Sequence, residues 1–581
     1  MQVKEIERMP HDPTSHIIGV GTSLKRRLLS LCMPVGVFAC AFLFLFATMP
    51  RLVDEYDEGL ILFGSTRVLS GDVPYRDFYA NYGPAQFYVL ATLFKIFGPS
   101  VLIERLWDVF IRAGTVLVIY LIVDGTWSRG RALFAALVTS IWLSNFGTYG
   151  FPVFPCLLFS LLSLYFVVPI YRGCRAVAPL VASGLCGGVT ILFRHDVGIA
   201  TAVGSMFTLG LFHMTLELDP PAKFSALLRS ATIYAGGVVI ALGPPLVLLV
   251  SAGSAHDMLV DLILIPARTY VRRRSLPFPS VVAIASEMMH LRLGSLNQLA
   301  VYLPIVAVSL GIMTALTSGR NQRCISLDEQ AIASQRRWIL VQLSVFSLLF
   351  FFKGWVRVSP LHMALAIVPS LVIITVWQTE FRSGAAKILF AVGIAGVLFL
   401  SLAPTRNALD RFTKNLAWAA HGPAPSNGVL GFAGSENGSC FPPAGLERIR
   451  CFYISWEQIA AIRYIQEHTA ANEGIFVGLT RHDKIFTNNV LFYFLCKRPS
   501  VTRWHHFDPG VQTTMEVQSE MVNELQSRPR YVVLSSEWDN VNEPNESARS
   551  SGVTVLDQYI RANYRGVAAF GPLTVLEHQP D

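Results

Sequence analysis

The sequence predicts a mainly α-helical, polytopic membrane helix bundle of about eleven spans, followed by a small C-terminal α/β domain. Three observations predict it. Apolar residues make up 52% of the chain and charged residues 15%, with a mean hydropathy of +0.46, far from an ordinary soluble composition. Up to residue 403 the apolar residues gather into runs near the roughly 20-residue length that crosses a bilayer as a helix. Beyond 404 the runs become short and alternate with Gly, Pro and polar residues. The formal charge of +8 comes from basic residues scattered between the apolar runs, which suits membrane topology and gives no nucleic-acid surface. The nine cysteines show no metal-ligand spacing, and those inside apolar runs read as small buried hydrophobes.

Taken in order, residues 1–27 form a cytoplasmic segment ending in Lys25, Arg26 and Arg27. The first apolar run carries no small-residue cleavage site and reads as a retained signal anchor. Expected spans are 28–49, 101–123, 132–149, 153–170, 177–193, 197–216, 230–251, 299–318, 338–353, 361–378 and 386–403. The run AQFYVLATLFKIFG after Pro84 is short for a span and is expected to lie in the interface or to re-enter. With the N-terminus in the cytoplasm, the loops TWSRGR, YRGCR, the segment near Lys223 and Arg229, Arg320–Arg337 and EFRSGAAK all fall on the cytoplasmic side. Each carries Lys or Arg, as the positive-inside rule asks. Counting 84–97 as a span would reverse them. Residues 404–445 read as a linker, and 446–581 as an extracytoplasmic domain. Its strand-like runs are GIFVGL, RYVVLSS and GPLTVLEH; its helix-like runs are SWEQIAAIRYIQEH and TTMEVQSEMVNELQSR. Cys440 and Cys451 could pair there, leaving Cys496 unmatched.

The chemistry concentrates in the first outer loop, 50–100. Between 54 and 77 it holds Asp54, Glu55, Asp57, Glu58, Asp72 and Asp77, with Tyr56, Tyr75 and Tyr82 nearby. Ionisable groups are costly beside a bilayer, so six acids there point to a site. Asp57 and Glu58 precede an apolar pattern at helical spacing, which sets them at a helix N-terminus, where the dipole favours a carboxylate. A carboxylate there could take a proton from an acceptor hydroxyl or hold a divalent cation. The plainer reading is a helix cap with a solvated acidic face.

The loop DEGLILFGSTRVLSGDVPYRDF, then YGP and an amphipathic run ending in FG, resembles the first outer loop of GT-C glycosyltransferases. These include the aminoarabinose transferases, the protein O-mannosyltransferases and the RgtA/B/C/D-like proteins. The resemblance implies an extracytoplasmic active site, a polyprenyl-phosphate sugar donor and inversion at the anomeric carbon. It gives Asp57, and Glu58 beside it, the role of catalytic base or metal-side acid; Asp54 and Glu55 form a second candidate pair. Asp77, in PYRDF beside Tyr75, matches a position common in bacterial members.

Three further places read as binding residues. Arg194, His195 and Asp196 interrupt an apolar run, as a tight turn between spans also would, and fall on the same side as the acidic loop. Arg272 and Arg273 belong to an arginine run in the outer loop 252–298, where guanidinium forks match phosphate oxygens or lipid headgroups. Lys353, Arg357 and His362 bracket a short outer loop, and RgtA/B/C/D-like relatives carry an Arg and a His in this region; a cation there could stabilise a departing phosphate, or the basic pair could snorkel to the interface. The segments RHDKIF, TRWHHFDPG and EPNES read as loop surface. No phosphate loop, nucleophile elbow or paired-cysteine metal motif occurs, and no motif requires a cofactor.

The expected function is therefore an integral-membrane glycosyltransferase of the inner membrane, moving a sugar from a polyprenyl-phosphate donor to a glycan, lipid or protein acceptor. A transporter or flippase for a lipid-linked or small polar substrate competes with it, but no half-to-half repeat of broken spans is visible. A third reading makes the outer domain the working module on a membrane scaffold.

Overall fold

The structure is a computed structural model that describes residues 32–147, 149–216, 218–290, 293–317, 327–377, 384–421 and 444–579. An apolar helix α1 (Cys32–Ala47) leads into the acidic loop. There α2 (Asp57–Leu69) and α3 (Pro84–Phe97) form, the second opened by Pro84, whose fixed φ and missing N–H suit a first helical turn. The bundle continues with α4 (Val101–Asp124), α5 (Arg129–Asn145), α6 (Val153–Tyr171), α7 (Val177–Phe193), α8 (His195–Met214) and α9 (Pro220–Ser251). Short helices α10 (Ala255–Leu259), α11 (Ile265–Arg274), α12 (Val281–Met289) and α13 (Leu296–Leu299) then lead to α14 (Leu303–Thr317), α15 (Leu327–Gly354), α16 (Ala364–Val376), α17 (Gly384–Leu400) and α18 (Leu402–His421).

Among the described residues seven helical stretches are long and apolar enough to cross a membrane, and the chain is a multi-pass membrane protein. The run after Pro84 is a helix of 14 residues, shorter than a span. Helix α9 shows how the bundle closes: a Cβ on Gly184 of α7 would lie 2.1 Å from the Tyr234 carbonyl oxygen of α9. Small residues let the two backbones touch where no hydrophobic effect drives helices together. Most of the rest of α9 is exposed for lipid.

One boundary differs from expectation. Residues 404–421, read as the start of a linker, continue as α18. That helix is amphipathic, with Leu402, Leu409, Phe412 and Leu416 exposed, while Asn415 Nδ2 donates to the carbonyls of Ala47 and Met49 at 2.9 Å each. Its mixed composition hid the pattern. The Cys440–Cys451 pairing falls on Cys440, outside the described residues; Cys496 is a buried free thiol.

The C-terminal part is α/β. Helices α19 (Trp456–His468), α20 (Leu491–Cys496), α21 (Met515–Leu525) and α22 (Val555–Asn563) accompany strands β1 (Phe476–Leu479), β2 (Tyr531–Ser535), β3 (Tyr564–Phe570) and β4 (Leu573–His578). The sheet order is β1-β2-β4-β3, with β1 parallel to β2 (Val477 opposite Val533) and the other pairs antiparallel. Ser455 and Thr514 cap α19 and α21 through their hydroxyl groups. Strand β3 was not foreseen: YRGVAAF is short of large apolar residues, and its ladder carries a bulge between Gly566 and Ala568.

This part sits directly on the acidic loop. Leu491 N–H donates to the Glu55 carbonyl at 2.9 Å, Val53 N–H to Tyr453, and Tyr79 N–H to Arg503. The rings of Phe63 and Tyr493 stack with centroids 4.8 Å apart. The loop is thus held between membrane helices and the helix and loops of the C-terminal part, and a cavity opens between them.

Candidate active site

Asp57 opens α2 because Asp54 supplies the cap. The Oδ1 of Asp54 accepts from the backbone N–H of Tyr56 (3.0 Å) and Asp57 (2.5 Å), and Glu58 Oε2 accepts from Asp54 N–H at 2.9 Å. This reciprocal arrangement is a capping box in function. The two adjacent acids consequently point to different environments. Glu58 turns inward, fully buried, and meets Arg105 of α4 in a bidentate pair of 2.5 and 2.7 Å. Arg105 also donates to the carbonyls of Pro50 and Leu52. Asp57 turns to the cavity.

That cavity measures about 1080 Å³. Its walls come from the acidic loop, α4, the 147–151 turn, the α7–α8 junction, α11, the end of α15 with the loop after it, and the C-terminal part. The Asp57 carboxylate is half-buried, open to the cavity and otherwise enclosed by protein. Tyr149 donates to its Oδ2 at 3.2 Å. Burial pushes the Asp57 carboxyl up to about 6, helped by the Asp54 carboxylate and opposed by Arg274 and the Tyr149 hydrogen bond. A carboxylate poised there is ionised near neutral pH and still basic enough to take a proton. Nearby, burial and then the facing Glu537 carboxylate push Glu55 up to about 8.

Cations gather on another part of the wall. Arg194 holds Asp196 through a bidentate pair of 3.0 and 2.9 Å and stands over the Tyr82 ring. Lys353 and His195 line the cavity, and among the described residues neither has a hydrogen-bond or ion-pair partner. The Nδ1 of His362 meets Ser359 Oγ at 2.7 Å. Burial, then the charges of Lys353, Arg357, Arg194 and Arg274, hold the His362 imidazole well below its usual range, so it is neutral.

Asp508 of the C-terminal part closes the site. Its Oδ1 accepts from Arg274 Nη2 at 2.7 Å and Tyr56 OH at 3.1 Å. Its Oδ2 accepts from Asn81 Nδ2 at 2.9 Å and Tyr79 OH at 3.2 Å, and lies 3.1 Å from His506 Nε2. Burial opposes its charge, but His506 and Arg274 hold the Asp508 carboxyl well below the usual carboxylate range.

The architecture is shared with ArnT from Cupriavidus metallidurans. Its structure bound to undecaprenyl phosphate superposes with a TM-score of 0.55 at 13% identity, covering 95% of this chain and 99% of that one. The apo structure gives 0.54 at 14%, covering 95% and 100%. The fold is of GT-C type. No protein-family model matches the chain, and no curated protein matches it in sequence.

Within this GT-C fold, the cavity brings together Asp57, Arg194, His195, Asp196, Arg357 and His362 of the residues singled out from sequence. Asp54, Glu55, Tyr56, Tyr82 and Lys353 line it too, whereas Glu58, Asp77, Tyr75, Arg272 and Arg273 do not. Glu58 is occupied by Arg105, which removes it from reach of a substrate. Asp77 takes Arg76 in a fork and caps the Val73 N–H, a turn-forming role. Tyr75 is buried and donates to the Tyr82 carbonyl at 2.8 Å. Helical phase turns Arg272 outward and sets Arg273 against Glu546, while Arg274 enters the cavity. Arg357 lines it but forks onto Glu543, with bonds of 2.6 and 2.8 Å. His505 and His506, read as loop surface, are buried. Among the described residues no three His, Cys, Asp or Glu side chains come together as a metal site.

Sequence reasoning passed over Tyr149 and Arg105, read the segment holding Asp508 as loop surface, and took Arg272 and Arg273 from the arginine run whose third member, Arg274, is the one that enters the cavity. A signal for Arg105 was present: Glu104, Arg105, Asp108 and Arg112 all fall inside one expected span, where charges need partners. Arg112 donates from Nε to Asp108 Oδ2 and from its two Nη groups to the carbonyls of Leu143 and Gly147. Glu104 accepts from Gly150 N–H. These buried ions anchor both ends of the turn that presents Tyr149 to Asp57.

Proposed function

We propose that this protein is an integral-membrane glycosyltransferase that moves a sugar from a polyprenyl-phosphate donor to an extracytoplasmic acceptor, with Asp57 as general base. The observation that carries the reading is one cavity with a tuned, solvent-facing carboxylate on one part of its wall and a group of cations on another. The likeness of fold to ArnT bound to undecaprenyl phosphate supports a lipid-phosphate donor.

In this mechanism Asp57 takes the proton of the acceptor hydroxyl, and the acceptor oxygen attacks the anomeric carbon from the face opposite the phosphate. The bond from that carbon to the phosphate oxygen breaks, and the departing polyprenyl phosphate keeps the electron pair. Lys353, with Arg194 beside it and neutral His362 as a hydrogen-bonding group, neutralises the leaving charge. Configuration inverts. The sugar enters beside Tyr82, Tyr149 and Phe151, whose rings line the cavity near Asp57. The N-terminus is cytoplasmic, and the cavity opens on the outer side of the inner membrane.

The test uses membranes carrying the wild type or Asp57→Asn, each supplied with radiolabelled polyprenyl-phosphate sugars. Label is followed into lipid, polysaccharide and protein fractions. Transfer by wild type and none by the folded variant is the expected result. Equal transfer by both would remove Asp57 from the mechanism, and no transfer by either would return the weight to a transporter.

A further inference from the structure

We infer that Asp508 of the C-terminal part is a positioning residue for the membrane site: it keeps the Arg274 guanidinium on its own carboxylate, away from Asp57, and fixes Tyr56 at the start of α2. The inference deepens the proposed function and rests on it for its kinetic consequences. Its structural half stands on geometry alone.

Asp508 is where separate parts of the chain meet. Tyr56 comes from the turn before α2, Tyr79 and Asn81 from the later part of the acidic loop, and Arg274 from the last turn of α11. His506 adds a contact from Asp508's own loop. Tyr56 is itself a hub: its one hydroxyl proton is shared between the Phe507 carbonyl at 2.8 Å and Asp508 Oδ1 at 3.1 Å, and the oxygen receives Arg274 Nη2 at 3.1 Å and lies 3.0 Å from His506 Nε2. The residue after Tyr56 is Asp57. A single interior carboxylate therefore ties the C-terminal part to the backbone that presents the base.

The charge balance gives this tie a chemical purpose. Arg274 and Asp57 line the same cavity, and Arg274 is among the groups that favour the ionised form of Asp57. Were Arg274 free, Asp57 would be the nearby cavity carboxylate to take it, and a base locked in an ion pair is weaker and blocked. Asp508 prevents this by offering a better-built partner: a 2.7 Å bond inside a nearly buried pair, with the remaining lone pairs filled by Tyr and Asn donors. The C-terminal part is on this view an obligatory wall of the site.

The test takes full-length Asp508→Asn, which keeps shape and removes charge, with Arg274→Gln and the double variant. Two readouts are used. Hydrogen exchange at the amides of 54–58 reads positioning without any turnover. The expected result is faster exchange there in Asp508→Asn, with α15 and α16 unchanged. Sugar transfer across pH reads the chemistry. Asp508→Asn should lose about ten- to a hundredfold in kcat/KM, the equivalent of one charge-assisted hydrogen bond.

The acid limb of the Asp508→Asn profile should also move to lower pH. The groups facing Asp57 are Asp54, Tyr56, Tyr82, Tyr149, Arg274 and Asp508. Freeing Arg274 and removing the Asp508 charge both favour the ionised base. Arg274→Gln should move the limb the other way, and the double variant should be no worse than Arg274→Gln. A purely structural role would give additive losses and leave the limb in place. Unchanged exchange at 54–58 in Asp508→Asn overturns the inference whether or not the wild type transfers sugar. Should Asp508→Asn fail to fold, Arg274→Gln with an unmoved limb overturns it as well. A wild type without transfer sinks the glycosyltransferase reading alone, and exchange still decides the positioning.

Discussion

Asp57 and Glu58 are neighbours of the same chemistry, and the structure separates their roles by an amount that can be measured. Glu58→Gln keeps the shape and removes the charge. The Glu58 and Arg105 side chains are 0% and 2% exposed, so water cannot screen the loss. Arg105 would retain its bonds to the Pro50 and Leu52 carbonyls and a long 3.9 Å contact to Glu104, but would lose its bidentate partner beside Phe452. Removing one partner of a buried pair costs about 3–5 kcal/mol, because the other ion is left unpaired. Asp57→Asn does the opposite. It removes a charge whose burial is unfavourable, so stability should hold or rise slightly, as active-site substitutions often do. The assay is thermal unfolding of detergent-solubilised protein alongside sugar transfer. Glu58→Gln should unfold earlier and lose activity in proportion to folded protein; Asp57→Asn should unfold with the wild type and transfer nothing. A fully stable, inactive Glu58→Gln would refute the reasoning, since Glu58 would then be acting on substrate.

Four more outcomes follow from the same geometry. With the Asp57 carboxyl raised to about 6, transfer should climb as pH rises through that value, because the base works only when ionised; a rate flat from pH 5 to 8 would contradict this. Tyr149→Phe removes a hydrogen bond that favours the charged form, so the limb should move to higher pH and the rate fall by less than about tenfold, one net hydrogen bond. Lys353→Met should raise KM for the lipid-phosphate donor more than for the acceptor, read from initial rates with each varied in turn. Gly59→Ala places a Cβ 2.4 Å from the Leu491 backbone nitrogen, which cannot yield as a side chain would; α2 and α20 should part, seen as faster protease cleavage of the C-terminal part and lost transfer.

The fold was legible because lipid imposes its own length and composition on a helix, and the expected spans coincide with helices to within a few residues at most ends. The buried strands were legible for a related reason: FVGL and the YVVL of the second strand are runs without a charged residue, as strands covered on both faces must be. Strand β3, half exposed and poor in large side chains, offered no such signal. The site was legible where chemistry is expensive. Asp57 and the Arg194–Asp196 group stand out because an ion next to a bilayer needs a reason.

Which member of a run faces the cavity is another matter, since it depends on helical phase and on partners far along the chain. Arg274 differs from Arg272 and Arg273 only in pointing toward Asp508, 234 residues away. Glu58 differs from Asp57 only in meeting Arg105, 47 residues away. Asp508 itself lies in a loop without periodicity, and its meaning comes from the groups that converge on it. A sequence announces where charge is unusual; only the folded chain says which of those charges is already neutralised. Around this cavity the distinction separates the candidate base from the scaffold: Glu58 and Asp508 are held by arginine, and Asp57 is left to face the open space.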